Sequence, residues 1–376
     1  MSKPDTCEVI VIGDATVNTL GVIRSMGKAK INFALILVGE DSIRRITQSK
    51  YISNHNMYKV NAYNEVYPLL ERLSSTHSGA RLVCTCDLAA ECVDEKESSL
   101  HKRYRTPMNG GSMKQLLNKY TQCNFVQNYG VTVPVFYQYS TEISSVPDMR
   151  FPVLIKPQNS NKGTKGDIHI CRSKEEFIRY TEASATCTDF IVQEFIEKDY
   201  EINFLGVSND KGVFVCGGIK KIRHYPDVNS ACSFGCFYPI SFFEKQGFNH
   251  RQIEDIIRDI GYHGVFSAEF LKRNDKYYFM EVNFRNDGLA YAATCAGANL
   301  VRLYVRNEAP DFAHLCSIYM MDTAADYNHV KECNLSFFSW VCDVIKSRCH
   351  LYLNFNDIGP ALGYYVAKIR RLIHLL

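Results

Sequence analysis

The chain has 376 residues, of which 46% are hydrophobic and 22% are charged, as expected for a globular protein with sizeable cores. This length predicts two or three domains rather than one. The formal net charge of +3 is too small to indicate a nucleic-acid partner, whereas a nucleotide would need only a local basic cluster.

The fifteen cysteines are scattered along the chain from Cys7 to Cys349, and no two of them form a C-x-x-C pair. No histidine stands near them at a spacing typical of zinc sites. We therefore predict reduced cysteines in the core of a cytoplasmic protein. The polar first eight residues predict no signal peptide. The longest apolar runs, such as residues 33–38, are too short for a membrane span.

The first hundred residues predict a Rossmann-like α/β layer. An apolar run at 9–12 ends at Gly13, a helical pattern covers 16–26, and apolar runs follow at 31–38 and 81–86. The turn after the first strand lacks the G-x-G-x-x-G pattern of dinucleotide-binding proteins. An NAD-dependent dehydrogenase is therefore the weaker of two interpretations of this layer.

A second region begins with a helical pattern at 112–129. Strands are predicted at 153–156, 168–171 and 190–194, with a helix at 174–184. Lys156 closes the first of these strands, where a lysine either lies on the surface or points into a cleft. The polar, glycine-containing and basic loop that follows it, residues 159–166, has free backbone N–H groups that suit phosphate, although it is not a Walker A loop.

The strand at 190–194 ends in a segment that suits a nucleotide. A strand that ends there, around Glu194 and Ile196, leaves backbone groups that can pair with an adenine edge. Glu201 lies seven residues beyond Glu194, and its carboxylate can accept ribose hydroxyl groups. The alternative is that these are ordinary surface acids.

The strongest signal is a predicted hairpin centred near Asp275. Glu269 and Glu281 are equally far from that centre and should face each other, and Asn283 lies on the same face as Glu281. Two facing carboxylates repel each other unless a cation joins them. Oxygen ligands of this kind are those that magnesium prefers, so we predict a metal site; a solvated hairpin face is the alternative.

Taken together, these motifs resemble the ATP-grasp superfamily over about residues 105–300. Weaker similarity in the first layer, at Gly13, Asn18, Gly21, Arg24 and residues 49–51, resembles D-aspartate-ligase-like and carbamoyl-phosphate-synthase-like members. The family's metal motif usually continues with proline, where this chain has Phe284. That difference argues against a biotin carboxylase or carbamoyl-phosphate synthase.

The resemblance implies an α/β protein, α+β in its central part, with an ATP-grasp fold behind a Rossmann-like domain. The implied domains are residues 1–104, 105–305 with a lid at about 115–193, and a C-terminal extension at 306–376. The implied ligands are ATP and Mg²⁺, or Mn²⁺. The residues implied to bind the nucleotide are Lys114 (or the nearby Lys119), Lys156, Ser160, Lys162, Gly163, Gly166, Glu194, Ile196 and Glu201, and those for the metal are Glu269, Glu281 and Asn283.

The implied reaction joins a small-molecule carboxylate, activated as an acyl phosphate, to an amine. Lys221 and Arg223, beside Lys220, form a second basic cluster for the γ-phosphate, and Arg285 would anchor a carboxylate or the acyl phosphate. A non-catalytic nucleotide sensor, and a kinase, carboxylase or carbamoyl-phosphate-synthase-like reaction on the same fold, stay open. So does a homodimer. For the basic C-terminal helix, residues 362–376, packing or partner contact is favoured over contact with a membrane.

Overall fold

The computed structural model of the protein describes residues 6–41, 45–142, 146, 148–159, 168–183, 187–226 and 231–373, with side chains to residue 370. The described strands form three sheets. Short 3₁₀ helices connect several elements, at Ile46–Gln48, Asn54–Asn56, Tyr63–Glu65, Lys114–Leu117 and Phe355–Asp357.

The first sheet is parallel and lies in the N-terminal layer. Its strands are β1 (Val9–Asp14), β2 (Phe33–Val38), β3 (Met57–Val60) and β4 (Arg81–Cys84), and its helices are α1 (Val17–Ala29), α2 (Val66–Leu73), α3 (Asp87–Glu95) and α4 (Glu97–Leu100). The strand order is β3-β2-β1-β4. The chain leaves β1 towards β2 on one side and returns as β4 on the other, which opens a crevice at the carboxyl ends of β1 and β4.

The second sheet is antiparallel and has the order β5-β8-β6-β7. Its elements are α5 (Lys119–Gln127), β5 (Phe136–Ser140), β6 (Val153–Pro157), β7 (His169–Cys171), α6 (Lys174–Ala183) and β8 (Asp189–Glu194). The helix predicted at 112–129 is shorter than expected. The Asn118 side chain accepts from the Thr121 N–H at 3.1 Å and so caps the helix, which begins at Lys119.

The third sheet has seven strands in the order β13-β12-β9-β10-β11-β14-β15. Its strands are β9 (Tyr200–Asn209), β10 (Gly212–Tyr225), β11 (Ala231–Pro239), β12 (Gly264–Arg273), β13 (Lys276–Asn283), β14 (Ile318–Met321) and β15 (Ser347–His350). The helices around it are α7 (Ile240–Glu244), α8 (Arg251–Ile260), α9 (Tyr291–Ala296), α10 (Leu300–Arg306), α11 (Thr323–Lys331), α12 (Phe337–Lys346) and α13 (Gly359–Ile373). Thus two strands of the C-terminal extension continue the central sheet, while the exact domain boundaries stay a prediction.

A buried ion pair ties the N-terminal layer to the C-terminal segment. Arg24 on α1 is fully buried, and its Nε lies 2.9 Å from Oδ2 of Asp357. Its other nitrogens donate to the carbonyls of Leu351 at 2.8 Å and Tyr352 at 2.9 Å. The same Asp357 oxygen accepts from the Ser49 hydroxyl at 2.9 Å. The buried charges are therefore paired and hydrogen-bonded, as a buried ion pair requires.

The structure tests the prediction that the cysteines are core residues. All fifteen cysteines are free, and nine of them are buried. The prediction that they are core residues is wrong for Cys316, Cys333 and Cys342, which are exposed in the C-terminal segment; Cys342 lies on α12, a helix that has no buried residue. In the part of the chain that is described, no helix is long and apolar enough to cross a membrane.

Candidate active site

The predicted hairpin is confirmed, and it brings the two acids together. Glu269 on β12 and Glu281 on β13 are direct partners across the two strands, and Asn283 pairs with Ser267. The Asn283 Nδ2 donates to Oε1 of Glu269 at 3.2 Å. The hairpin therefore places two carboxylates and an amide on one face of the third sheet.

Two lysines from the second region surround Glu281. The Lys119 Nζ lies 3.2 Å from Oε2 of Glu281, and the buried Lys156 donates to the carbonyl of Met280 at 3.4 Å. Burial opposes ionisation of Glu281, but Lys119 and Lys156 outweigh it and lower the pKa of this carboxyl to about 2. Burial lowers the pKa of the Lys156 ammonium. Glu281 is thus held as an anion beside Lys119 and Lys156.

The partner carboxylate has a different environment. Burial raises the pKa of Glu269; Lys221, whose Nζ lies 3.4 Å away, lowers it, and the facing Glu281 raises it again. Asn203 on β9 donates to Glu269 at 3.1 Å and to Asp287 at 3.0 Å. The Asn203 Oδ1 is buried and has no hydrogen-bond partner among the described residues, so an acceptor oxygen is left over beside the carboxylate.

Glu201, predicted to bind a ribose, lies in the same cluster. The Lys221 Nζ is 3.1 Å from its carboxylate, Lys198 also contacts it, and the His224 Nε2 is 3.9 Å away. Burial works against ionisation of Glu201, but Lys221 and then Lys198 lower its pKa to about 2. Because Lys221 contacts both Glu201 and Glu269, it connects the predicted ribose and metal residues, and its own pKa is raised by those two carboxylates against its burial.

The structure distinguishes between the two candidates for the first lysine. Lys114 is exposed on the 3₁₀ helix at 114–117. Lys119 is only 9% exposed and reaches Glu281. The backbone N–H of Lys119 donates to the carbonyl of Gln158 at 2.8 Å, which fixes the start of α5 against the end of β6. Of the two lysines, the geometry brings Lys119 into the cluster and leaves Lys114 outside it.

Arg223 does not join the γ-phosphate cluster in which we expected it. The register of β10 against β11 shifts on both sides of Arg223. Its guanidinium donates to both oxygens of Asp326, at 3.0 and 2.8 Å, and to Asp343 at 2.8 Å. At this irregularity, the Arg223 side chain points towards the acidic residues of α11 and α12. Lys221 and His224 on the same strand instead reach Glu201.

Arg285 lies between the metal residues and the N-terminal layer. Its Nε donates to Oδ1 of Asp87 on α3 at 2.7 Å, and its Nη2 donates to Oδ1 of Asn283 at 3.1 Å. The next residue, Asn286, accepts from the Asn18 side chain at 2.6 Å. Despite burial, Asp87 raises the pKa of the Arg285 guanidinium, so the group stays charged.

The nucleotide segment is described only in part. Glu194 ends β8 and is exposed, and its N–H donates to the carbonyl of Val135 at 2.7 Å. Ile196 is 8% exposed. The other loop residues of the prediction, Ser160, Lys162, Gly163 and Gly166, lie outside the described residues.

The predicted metal site contains the two carboxylates and the amide that the sequence indicates, Glu269, Glu281 and Asn283. Within the described ranges, no group of three or more histidine, cysteine, aspartate or glutamate side chains is placed to hold a metal ion. Glu269 and Glu281 supply the carboxylate oxygens of this site, and Asn203 and Asn283 both donate from Nδ2 to Glu269. Magnesium commonly takes one or two carboxylates and completes its shell with water and phosphate.

Sequence reasoning missed Asn203, Lys198 and His224. Asn203 and His224 join the site through strand pairing, which the sequence alone does not reveal. Asn203 lies opposite Glu269, and His224 follows the irregular pairing of β10 with β11. Lys198 had a local signal, since it precedes Glu201 by three residues and could have been read as its partner.

Comparison with known proteins gives a family match over the centre of the chain. The ATP-grasp domain family matches residues 124–295. The formate-dependent phosphoribosylglycinamide formyltransferase of Wolinella succinogenes is 29% identical over 147 residues, which are 38% of this chain and 36% of the relative. The chain therefore spans about a third of the length of this curated relative.

Solved structures match over a larger part of the chain. The N5-carboxyaminoimidazole synthetase of Staphylococcus aureus in complex with ADP has a TM-score of 0.66 at 14% identity, over 89% of this chain and 87% of that one. The biotin carboxylase domain dimer of Hydrogenobacter thermophilus 2-oxoglutarate carboxylase, bound to MgADP, ADP and bicarbonate, has a TM-score of 0.61 at 15% identity, over 84% and 74%. The predicted ATP-grasp fold is confirmed by these similarities and by the domain match.

Proposed function

We propose that this chain, whose residues 124–295 match the ATP-grasp domain family, is an ATP- and magnesium-dependent ligase that activates a carboxylate as an acyl phosphate and couples it to an amine. The observation that carries the proposal is the facing pair Glu269 and Glu281 with Lys119, Lys156 and Lys221 close around it. Carboxylates and lysines brought together in this way suit a polyphosphate chain and its counterion. The similar proteins described above include an ADP complex and an MgADP complex, which supports the nucleotide.

ATP would lie between the second and third sheets. Lys119 and Lys156 supply positive charge for its α- and β-phosphates, and Lys221 for the γ-phosphate. The carboxylate of Glu201 accepts the ribose hydroxyl groups, and the backbone between Glu194 and Ile196 pairs with the adenine edge. We keep Ser160, Lys162, Gly163 and Gly166 in this proposal as the loop that covers the phosphates and excludes water.

Magnesium would be held by Glu269, Glu281 and Asn283, with the spare Oδ1 of Asn203 as a further acceptor nearby. When bound, the cation supplies charge neutralisation at the terminal phosphates. Manganese suits the same oxygen donors. The lysine partners of Glu281 keep that carboxyl ionised, which is the form that binds a cation.

The substrates would meet ATP at the crevice between β1 and β4. Arg285 lies at this crevice through its contact with Asp87, and a planar guanidinium suits a carboxylate or an acyl phosphate. Asp14 at the end of β1 accepts from the Thr16 hydroxyl at 3.1 Å and has no ion-pair partner among the described residues. We assign Asp14 and Asp87 to an ammonium group, so that an amino-acid-like or peptide-like substrate fits the crevice.

The proposed reaction has two steps. A carboxylate oxygen attacks the γ-phosphorus of ATP, and the bond to the bridging oxygen breaks, which releases ADP. The amine nitrogen then attacks the carbonyl carbon of the acyl phosphate, phosphate leaves, and the nitrogen loses a proton. The motif residues place no serine, cysteine or histidine as a covalent nucleophile, so this route needs only alignment and charge neutralisation from the protein.

Oxygen-18 labelling tests the route directly. If the carboxylate attacks the γ-phosphorus, one of its oxygens leaves with phosphate, so substrate labelled in the carboxylate gives labelled inorganic phosphate together with ADP. An ADP-release screen over pairs of amino acids identifies the substrates for this experiment. Release of AMP and pyrophosphate, or phosphate without label, contradicts the acyl-phosphate route. Binding of MgATP without turnover in the complete screen would favour the nucleotide sensor instead.

A further inference from the structure

The outward face of α13 carries a row of large apolar side chains. Leu362, Tyr365, Val366 and Ile369 are exposed to 56%, 43%, 47% and 57% of their surfaces. Their spacing of three, four and seven residues from Leu362 places them on one side of the helix, which we call the α13 stripe.

The opposite side of α13 packs on the N-terminal layer through small residues. Ala361 and Ala367 are buried there. A side chain added at Gly363 would come within 2.0 Å of the Gln48 side chain, and one at Gly359 within 2.1 Å of the Gln48 carbonyl oxygen. The helix therefore lies too close to this layer for a large residue, and a rotation that buried the α13 stripe would not fit.

Basic residues accompany the stripe. Lys368 and Arg370 are both exposed on α13, and the helix contains no aspartate or glutamate. Phe355, in the 3₁₀ helix at 355–357 that precedes α13, is 82% exposed. A row of apolar residues bordered by cations, with the polar body of the protein behind it, is typical of a helix that lies in a membrane interface.

A second copy of the chain would complement this surface less well. Two α13 stripes packed together would bring their Lys368 and Arg370 side chains into one interface, and α13 offers no acidic side chain to pair with them. An anionic lipid surface fits both the apolar row and the basic side chains. The apolar residues insert below the headgroups, and the anionic headgroups attract Lys368 and Arg370. No helix among the described residues is long and apolar enough to cross a membrane, so in this arrangement α13 lies along the surface.

We propose that α13 docks this protein on an anionic membrane surface, with the α13 stripe inserted at the headgroup level and Lys368 and Arg370 against the headgroups. The inference rests on the exposure, packing and charge of one helix, and it does not depend on the ligase reaction. It departs from our sequence-based preference for packing or partner contact, because the α13 stripe is exposed while Tyr364 and the small residues of α13 pack on the protein.

Vesicle co-sedimentation of the full chain tests the proposal. Vesicles of phosphatidylcholine with phosphatidylserine should bind the protein, and vesicles of phosphatidylcholine alone should bind it about tenfold less, with high salt removing most of the difference. The double substitution Val366→Glu and Ile369→Glu should reduce binding to the mixed vesicles about tenfold or more. Phe338→Glu on α12, at a residue that is 82% exposed, is the matched control and should bind as the wild type does.

A second variant separates charge from insertion. Lys368→Gln with Arg370→Gln should weaken binding to the mixed vesicles and leave the weak binding to neutral vesicles as it is. Equal binding of the wild type to both kinds of vesicle, or an equal loss with Phe338→Glu, overturns the proposal. A concentration-dependent dimer in sedimentation velocity that the glutamate variant abolishes, without vesicle binding by the wild type, would assign the stripe to a second copy of the chain.

Discussion

Glu269 and Glu281 stand directly opposite each other on β12 and β13, yet their pKa values are shifted in opposite directions. Glu281 lies beside Lys119 and Lys156, whereas Lys221, which lies beside Glu269, also pairs with Glu201. The pair is therefore unequal before any ligand binds: nearby lysines lower the pKa of Glu281, whereas desolvation raises the pKa of Glu269 more than Lys221 lowers it.

This inequality predicts opposite effects of two isosteric substitutions on the free energy of unfolding without ligands. Glu281→Gln leaves Lys119 and Lys156 uncompensated and should cost about 1–3 kcal/mol at pH 7. Glu269→Gln removes an ionised group whose folded-state pKa is raised, so it should stabilise the protein at the same pH. Urea unfolding measures the free energy of unfolding of each variant. A loss of stability in both variants would contradict the opposite pKa shifts of Glu269 and Glu281. With magnesium and ATP, both variants should lose turnover.

The pH dependence of stability follows from Glu281 and Glu201, whose folded-state pKa values are lowered from 4.5 to about 2. Such groups stabilise the fold above their ordinary pKa, and the contribution is lost as the pH falls towards the folded-state value. The wild type should therefore lose stability below about pH 5 more steeply than Glu281→Gln does. Unfolding curves collected between pH 4 and pH 7 compare the two slopes, and parallel slopes would argue against the lowered pKa of Glu281.

The first nucleotide-binding lysine can be identified by a matched pair of variants. Lys119→Met removes a charge that lies 3.2 Å from Glu281 and should weaken binding of a magnesium–ATP analogue about 10- to 100-fold. Lys114→Met, at the exposed position five residues earlier, should change the dissociation constant less than about twofold. Titration calorimetry measures both constants. A larger effect at Lys114 than at Lys119 would reverse the assignment.

Arg223 is expected to act on stability rather than on phosphate. Arg223→Met leaves the fully buried carboxylate of Asp326 without its guanidinium partner and should cost about 3–5 kcal/mol in the free energy of unfolding. Arg273→Met is the control, because Arg273 is 38% exposed and pairs with Glu197 and Asp199 at the surface, where the cost should stay below about 1 kcal/mol. Similar costs in both variants would show that the α11–α12 contact is weak.

Asp14 offers a test of the substrate crevice that does not disturb the fold. Because its carboxylate has no ion-pair partner among the described residues, Asp14→Asn should leave the free energy of unfolding within about 0.5 kcal/mol of the wild type. Once the amine substrate is known, the variant should raise its KM about tenfold or more and leave the KM for ATP unchanged. An unchanged KM for the amine would remove Asp14 from the site.

The sequence was sufficient for the hairpin and the order of the main elements. Glu269 and Glu281 could be paired because the pattern around Asp275 is symmetrical and the strands are continuous in the chain. The helix predicted at 174–184 is present as α6, which covers Lys174–Ala183.

Other parts of the site depend on contacts that no local pattern reveals. The start of α5, and with it the choice of Lys119 over Lys114, depends on the Asn118 cap and on Gln158, which lies 40 residues away. The side to which the Arg223 side chain points depends on shifts in the pairing of β10 with β11. At such shifts, the rule that alternate residues of a strand share a face no longer holds.

The Arg24–Asp357 pair has a consequence for shortened versions of this protein. Every acceptor oxygen recorded for the Arg24 guanidinium belongs to Leu351, Tyr352 or Asp357. A fragment that stops before residue 350 would keep all the residues proposed to bind nucleotide and metal. It would still bury Arg24, but without the acceptors of its hydrogen bonds. Such a fragment is expected to be insoluble or to be degraded, so its inactivity would say nothing about chemistry. Deletion mapping therefore cannot separate the first and last segments of this chain, and the function of the tail has to be studied by single substitutions on its outer surface.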